Sequence, residues 1–192
     1  MSHLCKGIVV KYREITLRGM IYASMFGAGT AVGAYIIIPL PPVPITLQTL
    51  FACLAGALLG GRLGALSQVV YVLIGIIGLP VFAGGKAGLG VLLGPTGGYL
   101  IGFIAAAYVI GKLIEIKGKP GFIWIVFSMV AGMIVIYLFG IIQLSFIARL
   151  SVYKSVSVGV LPFLFGDALK IITAALIYLK LREKTKIRGQ IL

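Results

Sequence analysis

Six long apolar segments, separated by charged or turn-forming residues, constrain this chain more than any other feature. A run of about 20 apolar residues is long enough to cross the ~30 Å hydrocarbon core of a bilayer as a helix. Inside lipid the backbone must satisfy its own hydrogen bonds, which leaves helices or closed barrels. The segments run from about Gly19 to Ile38, Leu47 to Gly60, Leu63 to Leu79, Tyr99 to Ile116, Phe122 to Ile147 and Pro162 to Leu179. The second is short for a full crossing. Charged residues make up 11% of the chain, against about 25% in soluble domains. The chain therefore reads as an all-α polytopic membrane protein, a single six-helix transmembrane domain over residues 1–192.

The placement of charge orients it. Seventeen Lys and Arg against four Asp and Glu give a net charge of +13, but these charges sit at segment ends and do not gather on one soluble face. That argues for anionic lipid headgroups as the partner surface and against nucleic acid. With the N-terminus inside, Lys6, Lys11, Arg13, Arg18, Arg62, Lys112, Lys117, Lys119, Lys180, Arg182, Lys184, Lys186 and Arg188 fall on the cytoplasmic side. Lys86, Arg149 and Lys154 fall outside, so both termini are expected to face the cytoplasm. The first segment ends in PLPPVPIT without a small-residue cleavage site and is expected to be a retained helix. Cys5 in the N-terminal tail and Cys53 in an apolar segment are not expected to pair. His3 is a solvated tail residue, and neither a metal nor a cofactor is implied.

Asp167 and Lys170 stand three apart in LPFLFGDALKIITAALIYLK, and Asp167 is the only acidic residue inside an apolar run. A charge at membrane depth costs roughly 2.5–3.5 kcal/mol on insertion scales. At this spacing the two side chains share a helix face, in the outer half of the bilayer. The pair is either an internal salt bridge or the floor of a binding site. Two apolar residues would serve stability as well, which favours the site. A carboxylate accepts from a ligand N–H, and an ammonium meets a carbonyl or carboxylate. Phe163 and Gly166 fall near the same face.

Two outer loops bear on that site. PVFAGGKAGLGVLLGPTGG places Gly84, Gly85, Gly88, Gly90, Gly94, Gly97 and Gly98 around Lys86. It reads as a connector or as a lid whose lysine holds an anion; it is not a P-loop, because no GxxxxGK[ST] occurs. PLPPVPITLQTL, extended or turning by its prolines, brings Thr46 and Gln48 to the entrance of the second segment. Thr46 is expected as an N-cap, and Gln48 as an interfacial or wall residue. Gln68 and Gln143 read as helix–helix contacts. Tyr99, Tyr137 and the other aromatics read mostly as core or interfacial belt. In the first segment Ser24-xxx-Ala28, Ala23-xxx-Gly27-xxx-Ala31 and Gly29-xxx-Gly33 suit close helix approach, within the bundle or to a second membrane subunit.

The stretches PVPITLQTL, GLPVFAGGKAGLGVLLGPTGGYLIGF and FGDALK, in this order and spacing, resemble the BioY family, the biotin-specific substrate-binding S components of energy-coupling-factor transporters. The resemblance covers nearly the whole chain. It implies a prokaryotic cell-membrane protein that binds biotin near the outer face. Asp167 and Lys170 would meet the ureido group, with Lys170 on its oxygen or orienting Asp167. Gly84, Gly85 and Lys86 would match the family's loop step, where some relatives carry asparagine for the lysine. Either Lys86 or Lys170 would pair with the valerate carboxylate, and Gln48 and Tyr99 would be lesser contacts. Ser24 and Ala28 would dock the transmembrane T component. ATP hydrolysis on two separate ATPase subunits would drive transport, which accords with the missing P-loop.

Two other functional classes fit the residues less well. An ion-coupled secondary transporter for a small organic anion would use Asp167 as its ion site, yet no internal repeat is evident. An intramembrane enzyme lacks a His-rich metal site, a GxSxG and paired carboxylates.

Overall fold

The computed structural model describes residues 16–184. His3, Cys5, Lys6, Lys11, Arg13, Lys186 and Arg188 lie outside them. Helix α1 (Leu17–Tyr35) leads into a small antiparallel hairpin of β1 (Ile37–Ile38) and β2 (Ile45–Thr46). Then follow α2 (Gln48–Leu59), α3 (Gly61–Ile77), a single turn α4 (Leu89–Leu92), α5 (Gly97–Lys117), α6 (Phe122–Ala148) and α7 (Val152–Gly159). A 3-10 turn at Leu161–Phe163 opens into α8 (Leu164–Lys184).

Helix α5 is the centre of the bundle and packs on α2, α3 and α6. Phe103, Ile110 and Ile114 of α5 and Ile125, Met129 and Ile136 of α6 are buried in one apolar core. The α2–α3 corner presses on α5 so closely that a Cβ on Gly111 would stand 2.2 Å from the Gly61 nitrogen. Only a missing side chain permits that approach. The outward face of α6 is apolar, with Ile123, Phe127, Ile134, Leu138, Ile142 and Phe146 all exposed. Such a face suits lipid and not water.

The two ends of the bundle differ. At one end the Gly61 N–H donates to Glu115 Oε1 at 2.9 Å, Lys112 pairs with Glu115 at 2.9 Å, and Arg182 donates to the Pro120 carbonyl at 2.8 Å. The Lys117 ammonium lies 4.5 Å from the Trp124 ring centroid. Arg18, Arg62, Lys112, Lys117, Lys119 and Arg182 are thus brought to a common end. The opposite end carries the hairpin, the glycine-rich loop, α7 and a cavity.

Several expected boundaries move. The first apolar segment stops being helical at Tyr35, because Ile37–Ile38 pair with Ile45–Thr46. Gly60 alone makes the α2–α3 turn, with φ 83°. The stretch after Arg149, expected as an outer loop, folds as α7. There the Ser151 hydroxyl caps the helix by accepting the Lys154 N–H at 3.3 Å. The stretch Val152–Arg182 contains an 18-residue window apolar enough to span a membrane, but the helix breaks at Val160 (φ −130°) before the Pro162 turn. Helices α5 and α6 are each long and apolar enough to cross. At 12 residues, α2 is about 18 Å long, and α3, at 17 residues, about 25 Å.

Candidate ligand-binding site

A cavity opens at the end away from the basic cluster, between α2, α5, α6 and α8 and beneath the two outer loops. The space between its walls and its mouth, open solvent included, is about 690 Å³. Phe82, Leu100, Phe103, Ile136 and Phe163 supply apolar wall. Thr46, Gln48, Thr49, Thr96, Tyr99, Tyr137, Asp167, Lys170 and Lys86 supply the polar groups. A few fixed polar groups in an apolar wall are what orients a ligand.

Asp167 and Lys170 both line this cavity. Asp167 lies in the first turn of α8 and is 4% exposed. There the helix N-terminus favours a negative charge. Lys170 Nζ donates to Asp167 Oδ1 at 2.9 Å, to the Thr46 carbonyl at 2.7 Å and to Thr49 Oγ1 at 3.2 Å. All three ammonium donors therefore meet protein acceptors. Thr49 Oγ1 also donates to Asp167 Oδ1 at 3.2 Å, and the Tyr137 hydroxyl donates to Asp167 Oδ2. A buried ion pair offsets its desolvation only when its remaining hydrogen-bonding capacity is met, and here α2, β2 and α6 meet it.

The glycine-rich loop folds over the cavity. Phe82 N–H donates to the Lys86 carbonyl at 3.0 Å, closing a turn in which Gly84 and Gly85 take φ of 71° and 73°. Glycine adopts that left-handed backbone without the strain a Cβ adds. Phe82 points inward, 1% exposed, and meets the Tyr71 ring edge-on at 5.7 Å. Gly88 N–H donates to Gly75 O at 2.7 Å, Tyr71 to Val81 O at 3.1 Å, and Tyr35 to Pro80 O. The far half of the loop hangs on α6, where Gln143 Nε2 donates to the carbonyls of Leu92 and Gly94, each at 2.7 Å.

Gln48 is buried, 3% exposed, and not interfacial. Thr46 Oγ1 donates to its Oε1 at 2.8 Å, and its Nε2 donates to the Tyr71 hydroxyl. Thr46 is consequently no N-cap: Leu47 holds that position without a side-chain cap. Thr46 joins two sets of bonds, its carbonyl accepting from Lys170 and its hydroxyl opening the chain Thr46–Gln48–Tyr71–Val81 that reaches the loop above.

The other expected residues separate. Lys86 lines the cavity at its exposed rim, and Tyr99 lines its wall while donating to Gly159 O at 3.0 Å. Gly84 and Gly85 shape the turn and do not line the space. Phe163 is wall, whereas Gly166 is not. Gln68 binds Thr30 at 3.2 Å across α1 and α3, the expected helix–helix contact; Gln143 instead serves the loop. On α1, Ala23, Gly27 and Gly33 are buried, while Ser24 and Ala28 face outward. Tyr137, expected as core or interfacial belt, and Thr49, for which the sequence carries no expectation, both line the cavity. Tyr137 sits in a helix apolar all round, where an aromatic reads as core, and Thr49 follows Gln48 at a helix start.

The family model described as the BioY family matches residues 8–186. The chain is 48% identical over 167 residues to the biotin transporter BioY of Thermotoga maritima, covering 87% of this chain and 97% of that protein. It is 39% identical over 176 residues to a probable biotin transporter BioY of Pyrococcus horikoshii, covering 92% and 100%. The crystal structure of the S-component for biotin from an ECF-type ABC transporter superposes with a TM-score of 0.82 at 30% identity, over 89% of this chain and 94% of that one. With sequence and fold alike along nearly their full length, the chain belongs to the BioY family.

Proposed function

We propose that this protein is the biotin-binding S component of an energy-coupling-factor transporter and takes up biotin across a membrane. The observation that carries this is the fold shared with a solved biotin S component over 89% of the chain. The cavity adds chemistry that suits the ligand. Asp167 accepts a ureido N–H, and Lys170, already coordinated by Thr46, Thr49 and Asp167, orients that carboxylate. Lys86 at the rim pairs with the valerate carboxylate. Phe82, Phe103 and Phe163 cover the fused rings, Gln48 and Tyr99 hold the walls, and Gly84 and Gly85 let the lid turn close.

The finer architecture follows from charge. Helices α1, α2, α3, α5, α6 and α8 make six crossings, and the basic end faces the cytoplasm of a prokaryotic cell. Both termini are then inside and the cavity opens outward. The exposed Ser24 and Ala28 form the surface for the transmembrane T component, and two ATPase subunits supply the energy that this chain, without a P-loop, does not. The protein itself performs no chemistry on its ligand.

Calorimetric titration of the detergent-solubilised chain with biotin, desthiobiotin and other vitamins tests the proposal. Tight one-to-one binding of biotin supports it, and absence of biotin binding refutes it. In proteoliposomes, uptake is expected only with the T component, the ATPases and ATP. Uptake by the chain alone on a pH gradient would instead identify an ion-coupled transporter.

A further inference from the structure

The Asp167 carboxylate is held from three helices at once. Oδ1 takes Lys170 Nζ of α8 at 2.9 Å and Thr49 Oγ1 of α2 at 3.2 Å, while Oδ2 takes the Tyr137 hydroxyl of α6. A carboxylate offers about four acceptor sites, so the protein fills three and leaves one, on Oδ2. Thr49 has a single proton, committed to Asp167, and its lone pair takes Lys170. Its direction is therefore fixed. Tyr137 also lines the cavity, so its hydroxyl stands beside any ligand that reaches Asp167. A phenylalanine would fill the same space on α6; the hydroxyl adds only the bond to Asp167.

We propose that Tyr137, together with Thr49, is a positioning residue that sets ligand selectivity. By occupying the other acceptor sites, the two hydroxyls leave Asp167 one direction in which to accept. That suits a single neutral N–H of a cyclic urea and disfavours a cationic head that needs two acceptors, such as a guanidinium. The inference rests on the biotin-binding reading above.

The test compares biotin with 2-iminobiotin, in which an imino group replaces the ureido oxygen and carries a proton at neutral pH. Both are titrated into wild type, Tyr137→Phe, Thr49→Val and Thr49→Ser, with thermal unfolding checking that each variant is folded. Wild type is expected to prefer biotin. Tyr137→Phe is expected to weaken biotin about tenfold or more, the size of one hydrogen bond to a charged group. It should also narrow the preference over 2-iminobiotin by about tenfold. Thr49→Val should narrow it in the same direction, and Thr49→Ser, which keeps the hydroxyl, should recover most of what Thr49→Val loses. If Tyr137→Phe lowers both affinities by one factor, the hydroxyl supports the site without setting its selectivity; if it changes neither, Tyr137 only fills space; either outcome overturns the proposal. Should Tyr137→Phe not fold, an unchanged preference in Thr49→Val overturns it equally. Wild type that binds no biotin removes the functional reading itself; wild type that binds, with variants of unaltered preference, removes only this one.

Discussion

Asp167 and Lys170 are 6% and 13% exposed at their side chains, and each depends on the other. Removing one partner strands a buried charge, a loss of about 3–5 kcal/mol. Asp167→Asn and Lys170→Met are therefore expected to weaken biotin binding more than a hundredfold and to lower the melting temperature. The double variant Asp167→Leu with Lys170→Leu should melt higher than either single one yet bind no biotin, which separates stability from recognition. Lys86 is exposed at the rim and its charge is screened there. Lys86→Ala should cost roughly tenfold in biotin affinity and nothing for the amide of biotin, as titration of both ligands will show. Asp167 and Lys170 were legible in the sequence because a charge in an apolar run is expensive and needs a reason. Tyr137 and Thr49 were not, because a tyrosine in an apolar helix and a threonine at a helix start each have commoner uses.

At the scale of elements, the lid is the part whose behaviour the sequence hinted at without describing. Its glycines announced a tight path but not its anchors. Gln143, expected to join two helices, instead holds the Leu92 and Gly94 carbonyls. Gln143→Leu removes that donor from two half-buried carbonyls, at about 0.5–1.5 kcal/mol for each lost bond. Faster amide hydrogen exchange over residues 89–96 is expected, and faster release of biotin with it. A Cβ on Gly97 would lie 1.7 Å from the Leu92 carbonyl oxygen, so Gly97→Ala should displace the same segment. Unchanged exchange in both variants would show that the lid is held by other means. The long apolar helices were readable from hydropathy within a few residues. The hairpin and α7 were not: two-residue strands have no periodicity to detect, and α7 depends on one serine cap and on packing against α6.

For the whole molecule, charge and cavity lie at opposite ends, and the positive-inside rule turns that polarity into an orientation. In a chain whose Cys5 is replaced by serine, and whose remaining Cys53 is buried, single cysteines at Lys119 and Lys154 report the two ends. A membrane-impermeant maleimide should label Lys154→Cys on intact cells and Lys119→Cys only after lysis; the reverse pattern would invert the topology. The central claim is that this bundle is a receptor for biotin whose floor is the Asp167 carboxylate. Isothermal titration of the purified chain with biotin, beside a folded Asp167→Asn variant, tests that most directly. The account predicts one biotin bound tightly per wild-type chain and a more than hundredfold weaker Asp167→Asn. Heat of binding absent from wild type, or equal affinity in the two proteins, would contradict it.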